Sequence, residues 1–395
     1  MFFLVYPIMK IRLLAIHITL TAIIFTGFLP LSEAAVINVC DSPYLAKGDG
    51  ITDNRSAFVN ALASLSSGDT LFVPAGTYRI VITSIIKPKA GTSIRGEGSA
   101  TILSLENGGL STSRQFMSPG GSNILIEGLT VVRAANFPLV VFYLTNSNGP
   151  SDIVIRNTKI VGNRDIYTSY TCHGIQYGQS NMSNILLDNV TVTTCTNGLF
   201  RDGSSTGTVT NITATHCRFF SNYSIDMNFN SPNGLTSNVI VQDCHFRDNR
   251  NTSTGSGFAV AFAHVTTGLI SDCIMDGYSN EAIHVEDRSS DIVISGNALR
   301  STAMMGGCAV LIISKSSAAS ATDGVTIINN LIDARDNVFD TFLVLVTAGS
   351  ATGPKPVNVS VEDNILINSN TTRTWYLQPG SGPAPSGNIV YDPTP

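Results

Sequence analysis

The sequence predicts an all-β fold: a single-stranded right-handed parallel β-helix opened by a short N-terminal capping helix. Three observations predict it. Only 13% of the 395 residues are charged while 43% are hydrophobic, which excludes a disordered chain and provides for a large core. From about residue 120 one phrase recurs, a polar residue, alternating apolar positions, then Asn, Asp or Gly before a small or apolar residue. It reads NILIEGL at 123–129, DIVIRNT at 152–158, NILLDNV at 184–190, NITATHC at 211–217, NVIVQDC at 238–244, GLISDC at 268–273, DIVISGNA at 291–298, GVTIINNL at 324–331 and NVSVEDNI at 358–365. A step of about 30 residues between copies is the length of one solenoid coil. After each phrase comes a second short run, among them GIQYG at 174–178, GLFRD at 198–202, SIDMN at 224–228, GFAVAF at 257–262, EAIHVED at 281–287 and CAVLIIS at 308–314. Such short alternating or wholly apolar runs, punctuated by Gly, Asn and Ser, form strands.

In chain order, Lys10 and Arg12 precede an apolar run from Leu13 to Leu31, and Ser32 and Ala34 supply small residues for cleavage. Residues 1–34 therefore read as a secretory signal peptide, with Met1 or Met9 as the start. The mature protein is expected to be secreted, extracellular or periplasmic, with no membrane association after cleavage. Residues 35–120 read as the N-terminal cap and first coils. Within them, 53–68 is expected to be helical, with Asp53 as N-cap, Phe58, Ala61, Leu62 and Leu65 on one face and Gly68 as the stop. Residues 121–375 form the β-helix, nine rows of roughly 43 Å at strand spacing. Residues 376–395 lack periodicity and read as a loose C-terminal tail.

Stacking equivalent positions gives two columns. One is Gly128, Asn157, Asn189, His216, Asp243, Asp272, Asn297, Asn330 and Asn364, expected at a turn because Asn and Asp tolerate left-handed backbone. The next is Leu129, Thr158, Val190, Cys217, Cys244, Cys273, Ala298, Leu331 and Ile365, expected inside, its cysteines as small core residues. The seven cysteines show no Cys-x-x-Cys metal spacing.

On the second strands, taking Ile175, Leu199, Ile225, Phe258 and Ile283 as inward makes two outward rows. The first is Gln176, Phe200, Asp226, Ala259, His284 and Val310, and the other is Gly178, Asp202, Asn228, Ala261, Glu286 and Ile312. Acidic and imidazole groups gather in the middle coils. Glycosidic hydrolysis needs one carboxylic acid and one carboxylate, about 6.5–9.5 Å apart for inversion. Asp202 and Asp226, one coil and two residues apart, come to roughly 8 Å between Cα atoms. They are the expected catalytic pair, with Glu286 tuning or binding and His284 or His173 modulating the acid. Gln176, Asn228, His173, Tyr177 and Phe200 are the expected substrate-binding residues. Arg201 falls inward in this register and marks an irregular strand.

YLAKGDGITDNRSAFVNAL at 44–62, GDTLFVPAGTYRI at 68–80 and IRGEG at 94–98 closely resemble the opening of the pectate-lyase superfamily, which includes polygalacturonases, lyases, epimerases and tailspike depolymerases. The resemblance implies an extracellular β-helix acting on or binding polysaccharide. The polygalacturonase motifs Asn-Thr-Asp, Asp-Asp, Gly-His-Gly and Arg-Ile-Lys are absent, and Cys172-His173-Gly174 is the nearest fragment, so no catalytic residue carries over.

Three functions follow as expectations. The first is hydrolysis of a polysaccharide without a cofactor or metal. The second is a lyase or epimerase acting on a uronate glycan, using Arg201, Arg247, His284 or Tyr177, with Asp202, Asp226 and Glu286 as ligands for Ca²⁺. The third is a non-catalytic adhesin or tailspike-like protein. A net charge of −5 with no basic block removes the footprint of a nucleic-acid binder. The sequence is silent on oligomeric state.

Overall fold

The computed structural model describes residues 34–109, 114–145, 147–230, 232–249, 257–301, 308–315, 321–335, 342–350, 353–368 and 374–391. The export signal expected over 1–34 lies outside them but for Ala34. Among the described residues the chain from Ala34 onward is a right-handed parallel β-helix whose coils lay strands in three sheets of twelve, thirteen and ten members, all paired in parallel. The recurring phrase forms the twelve-stranded first sheet, as in Ser151–Arg156, Met182–Asp188, Thr208–Thr215 and Leu235–Gln242. Its alternation buries Ile153 and Ile155, Ile185 and Leu187, Ile212 and Ala214, and Val239 and Val241 in successive layers. Three-residue strands such as Lys159–Val161 and Arg218–Phe220 make the second sheet. The third is built from Cys172–Tyr177, Asn197–Arg201, Met227–Asn230, Val260–Ala263, Ile283–Glu286 and Cys308–Ser314.

One left-handed residue turns the chain from first to second sheet: Gly128, Asn157, Asn189, His216, Asp243, Asp272, Gly296, Asn329 and Asp363, all with φ between 49° and 67°. Gly, Asn and Asp bear that conformation at least cost. The expected turn column thus holds through Asp272 and then slips by one residue. Ile274 pairs with Ala298, Ala298 with Leu331 and Leu331 with Ile365, so Asn297, Asn330 and Asn364 continue the interior file of Cys217, Cys244 and Cys273. The last three phrases carry Gly296-Asn297, Asn329-Asn330 and Asp363-Asn364, and the first of each pair takes the turn. The second is buried because its amide is fully used. Asn330 donates from Nδ2 to Ile294 O and Asn364 Oδ1, each at 2.9 Å, while its Oδ1 accepts from Asn297 N at 3.0 Å and Asn297 Nδ2 at 2.9 Å. The seven cysteines are free thiols, and those of the interior file point Sγ at backbone carbonyls, Cys244 to Gln242 O at 3.2 Å.

This register has a direct check. Asn330→Ala orphans the buried donors of Asn297, and at about 1–3 kcal/mol per unpaired group it is expected to lower stability by roughly 3 kcal/mol. Leu331→Ala, at a position 39% exposed, is expected to change stability by about 0.5 kcal/mol. Urea unfolding midpoints with the opposite order would restore the expected column.

At the N-terminus the helix spans Arg55–Ser64, shorter than expected. Asp53 ends a strand instead of capping, with Oδ1 accepting from Arg55 N at 3.1 Å and Val81 N at 3.0 Å. Leu65 is already extended. Phe58, Ala61, Leu62 and Leu65 are buried, and the Phe58 ring lies edge-on to Tyr78 at 5.8 Å. At the other end the tail is not loose. Trp375–Leu377 joins the third sheet and Ile389–Tyr391 the second. Backbone pairing holds Ile389–Tyr391 while Ile389 and Tyr391 stay exposed, so no hydrophobic period signals it.

Candidate functional site

The outer face of the third sheet carries one file of paired residues: Tyr143, Gln176, Phe200, Asn228, Ala261, His284 and Leu311. Two residues further along each strand runs Asn230, Ala263, Glu286 and Ile313. Ala261 and Ala263 lie between two coils of larger side chains, and the missing volume opens a cavity of about 340 Å³. Asn228 and Asn230 wall it on one side and His284, Glu286, Glu281 and Lys315 on the other, with Phe258 against the imidazole at 4.7 Å.

His284 and Glu286 are each 13% exposed. The imidazole Nε2 lies 3.1 Å from Glu286 and Nδ1 3.7 Å from Glu281, while Lys315 Nζ ion-pairs with the same Glu286 oxygen. Burial opposes charge on His284, but the two carboxylates outweigh it and lift the imidazole to about 9. Burial likewise opposes charge on Glu286, yet His284 and Lys315 hold its carboxyl down at about 2. At neutral pH the cluster is therefore an imidazolium between carboxylates. Nε2 meets Glu286 at hydrogen-bond distance, while Nδ1 makes no hydrogen bond and has Glu281 as its charged neighbour, so the two carboxylates stand at different nitrogens of one ring.

A second group lies toward the N-terminus on the same face. His173 stacks on Phe200 at 4.6 Å and 10°, with its Nδ1 3.2 Å from Asn197 Nδ2. Burial pushes this imidazole down to about 4, against the pull of Asp202, so it is neutral. Asp202 follows Asn197–Arg201, and its Oδ1 accepts from Ser204 N at 2.9 Å and Ser204 Oγ at 3.0 Å. Gln176 and Asn228, expected in two separate rows, share one outward file with Phe200, and Asn228 lines the cavity.

Three expected site residues face the core. Tyr177 is fully buried, in the inward file of Tyr177, Arg201, Phe229 and Phe262. Arg201 beside it is also fully buried, its guanidinium bonded to Leu235 O, Thr236 Oγ1 and Gly207 O. Asp226 is fully buried too. Leu199 pairs with Met227 and Met227 with Val260, two residues beyond the expected register, because 224–226 is irregular backbone preceding the strand. The Asp202–Asp226 pair therefore does not exist as a groove pair. Nor do Asp202, Asp226 and Glu286 converge as ligands, and among the described residues no three His, Cys, Asp or Glu side chains are grouped to hold a metal ion. Glu281 and Lys315 were not singled out from sequence. Both lie just outside the strand residues of the face, Glu281 three residues before His284 and Lys315 one residue past CAVLIIS.

Residues 36–255, more than half of the chain, match the model of the family described as rhamnogalacturonase A/epimerase, pectate lyase-like. The chain belongs to that family. No curated protein matches this pectate lyase-like chain. Among solved structures, the tailspike protein of E. coli bacteriophage HK620 in complex with pentasaccharide is similar at 13% identity and TM-score 0.61, over 91% of this chain and 67% of that one. The Streptococcus pneumoniae surface protein and adhesin PfbA is similar at 16% identity and TM-score 0.59, over 90% and 97%. The Azotobacter vinelandii mannuronan C-5 epimerase AlgE4 A-module is similar at 14% identity and TM-score 0.54, over 90% and 95%. At these identities the likeness is one of fold. Among the described residues no helix is long and apolar enough to cross a membrane.

Proposed function

We propose that this protein is an exported polysaccharide-acting enzyme that hydrolyses glycosidic bonds at the Glu281–His284–Glu286 cluster. The observation that supports this reading is the pair of carboxylates held on opposite sides of one imidazolium at the edge of a cavity in a parallel β-helix face. Glu286, ionised above about pH 2, meets positive charge building at the anomeric carbon and orients the attacking water. The cluster's mobile proton sits on His284 at neutral pH, so the imidazolium, with Glu281 beside its Nδ1, gives the proton to the leaving oxygen, and the proton of the attacking water goes to Glu286 and from it back to the ring. His284 holds a proton between the two. Asn228 and the His173–Phe200 stack extend the face along which a glycan lies, sugar rings packing against the half-buried ring pair. Family membership and the pentasaccharide bound to the HK620 tailspike support a glycan as ligand.

Lys315 and the His284 imidazolium support a second reading, elimination or epimerisation of a uronate, since two cations can neutralise its carboxylate. Product analysis over a panel of neutral and uronate glycans separates the readings. Hydrolysis yields new reducing ends without unsaturated-uronate absorbance, elimination yields that absorbance, and epimerisation changes the uronate NMR spectrum alone. Retention on a glycan with none of these products would overturn both in favour of an adhesin.

A further inference from the structure

We propose that Asp226 is a positioning residue: its buried carboxylate, through the Tyr278 hydroxyl, ties down the turn leading to Glu281 and so sets the carboxylate that faces His284. This rests on reading the Glu281–His284–Glu286 cluster as the reaction centre. Asp226 uses both oxygens, Oδ1 accepting from Asn222 Nδ2 at 2.6 Å and Oδ2 from Tyr278 OH. Asn222 is fixed in turn to the neighbouring coil, its Oδ1 accepting from Cys195 N at 2.8 Å. Tyr278 is fully buried, and Glu281 follows three residues later.

The same residue holds a second wall. Asp226 N donates to Phe258 O at 3.0 Å, and the Phe258 ring lies 4.7 Å from His284. Asn228, on the facing wall, is two residues beyond Asp226 on the same chain segment. Three pieces of the cavity thus meet at one residue, Tyr278 through its carboxylate, Phe258 through its backbone N–H and Asn228 through the chain itself. An apolar pair of similar volume would fill this space without the desolvation of a buried carboxylate. What the carboxyl adds is a directional oxygen acceptor that fixes the Tyr278 hydroxyl, and with it the start of the turn, whether or not the group carries its charge.

The readout is the His284 imidazole, followed by proton NMR against pH in the whole protein and assigned with His284→Ala. Glu281→Gln sets the benchmark: it removes one of the two carboxylates that keep His284 protonated and is expected to lower the midpoint by about one unit. Tyr278→Phe deletes only the hydroxyl, and Asp226→Ala deletes the acceptor. Both are expected to lower the midpoint by a similar amount, while circular dichroism stays that of the parent. Asp226→Asn, whose side-chain oxygen still accepts from Tyr278, is expected to keep the parent value, a rescue that loss of packing does not produce. If Glu281→Gln lowers the midpoint and a folded Tyr278→Phe does not, the tether is overturned and the cluster stands. If Glu281→Gln leaves the midpoint unchanged, the Glu281–His284 pairing fails, and the proposal with it.

Discussion

Replacing Glu286 by Gln is expected to lower turnover of the glycan by about 10³-fold with the fold intact, the middle of the range for loss of an acid–base group. The amide has the same shape but no charge. It removes the negative group expected to face the anomeric carbon, and it leaves Lys315 and the His284 imidazolium without their shared partner. His284 then keeps only Glu281 and loses its proton at lower pH, so the alkaline limb of the rate profile is expected to move down. Asp202→Asn is the control. Asp202 sits beside His173 and Phe200 with Ser204 as its partner, and no second carboxylate faces it among the described residues. Its turnover is expected to stay within about an order of magnitude of the parent. Comparable losses in both variants would move the reaction centre toward the N-terminal group, and a Glu286→Gln variant with parent activity would remove it from the cavity altogether.

The fold was legible because its two signals are local and repeated. Alternation places Ile153, Ile185, Ile212 and Val239 inside, and a left-handed residue, most often Asn or Asp, closes each phrase. The slip at Asn297, Asn330 and Asn364 marks the limit of that reading. In a run of two turn-forming residues, propensity cannot say which takes the turn, and the buried one is recognisable only once its ladder partners are in place. His284 and Glu286 were found because EAIHVED alternates regularly to its end. Asp226 was misplaced because SIDMN does not become a strand until Met227, and period-two counting fails where the backbone is irregular. Glu281 and Lys315 flank the face instead of lying within its strands, and only three-dimensional register brings them to one cavity.

Asp226→Asn is also expected to stabilise the protein at neutral pH, a consequence of burying an acid. Desolvation lifts the Asp226 carboxyl to about 7 even though Tyr278 and Asn222 favour its charged form. Between about pH 4 and pH 7 the folded protein therefore holds a proton there that the unfolded chain has released. Stability falls as pH rises wherever the native state binds more protons. Three units of difference make the fall about 4 kcal/mol across that window, at most. The groups facing Asp226 are Asn222, Tyr278 and the Cys195 thiol, and none supplies a cation to offset it. The cavity cluster acts in other windows. His284, raised to about 9, contributes stability that is whole below about pH 6.5 and is lost as pH climbs through 9. Glu286, held at about 2, contributes stability that is whole above about pH 4.5 and is lost as pH drops through 2. The difference between parent and Asp226→Asn isolates the buried acid from these. Thermal midpoints of the two proteins are expected to converge near pH 4 and separate steadily up to pH 7, with the variant higher. Parallel profiles across that range would mean that Asp226 is ionised throughout, so that Tyr278 and Asn222 offset its burial without a proton.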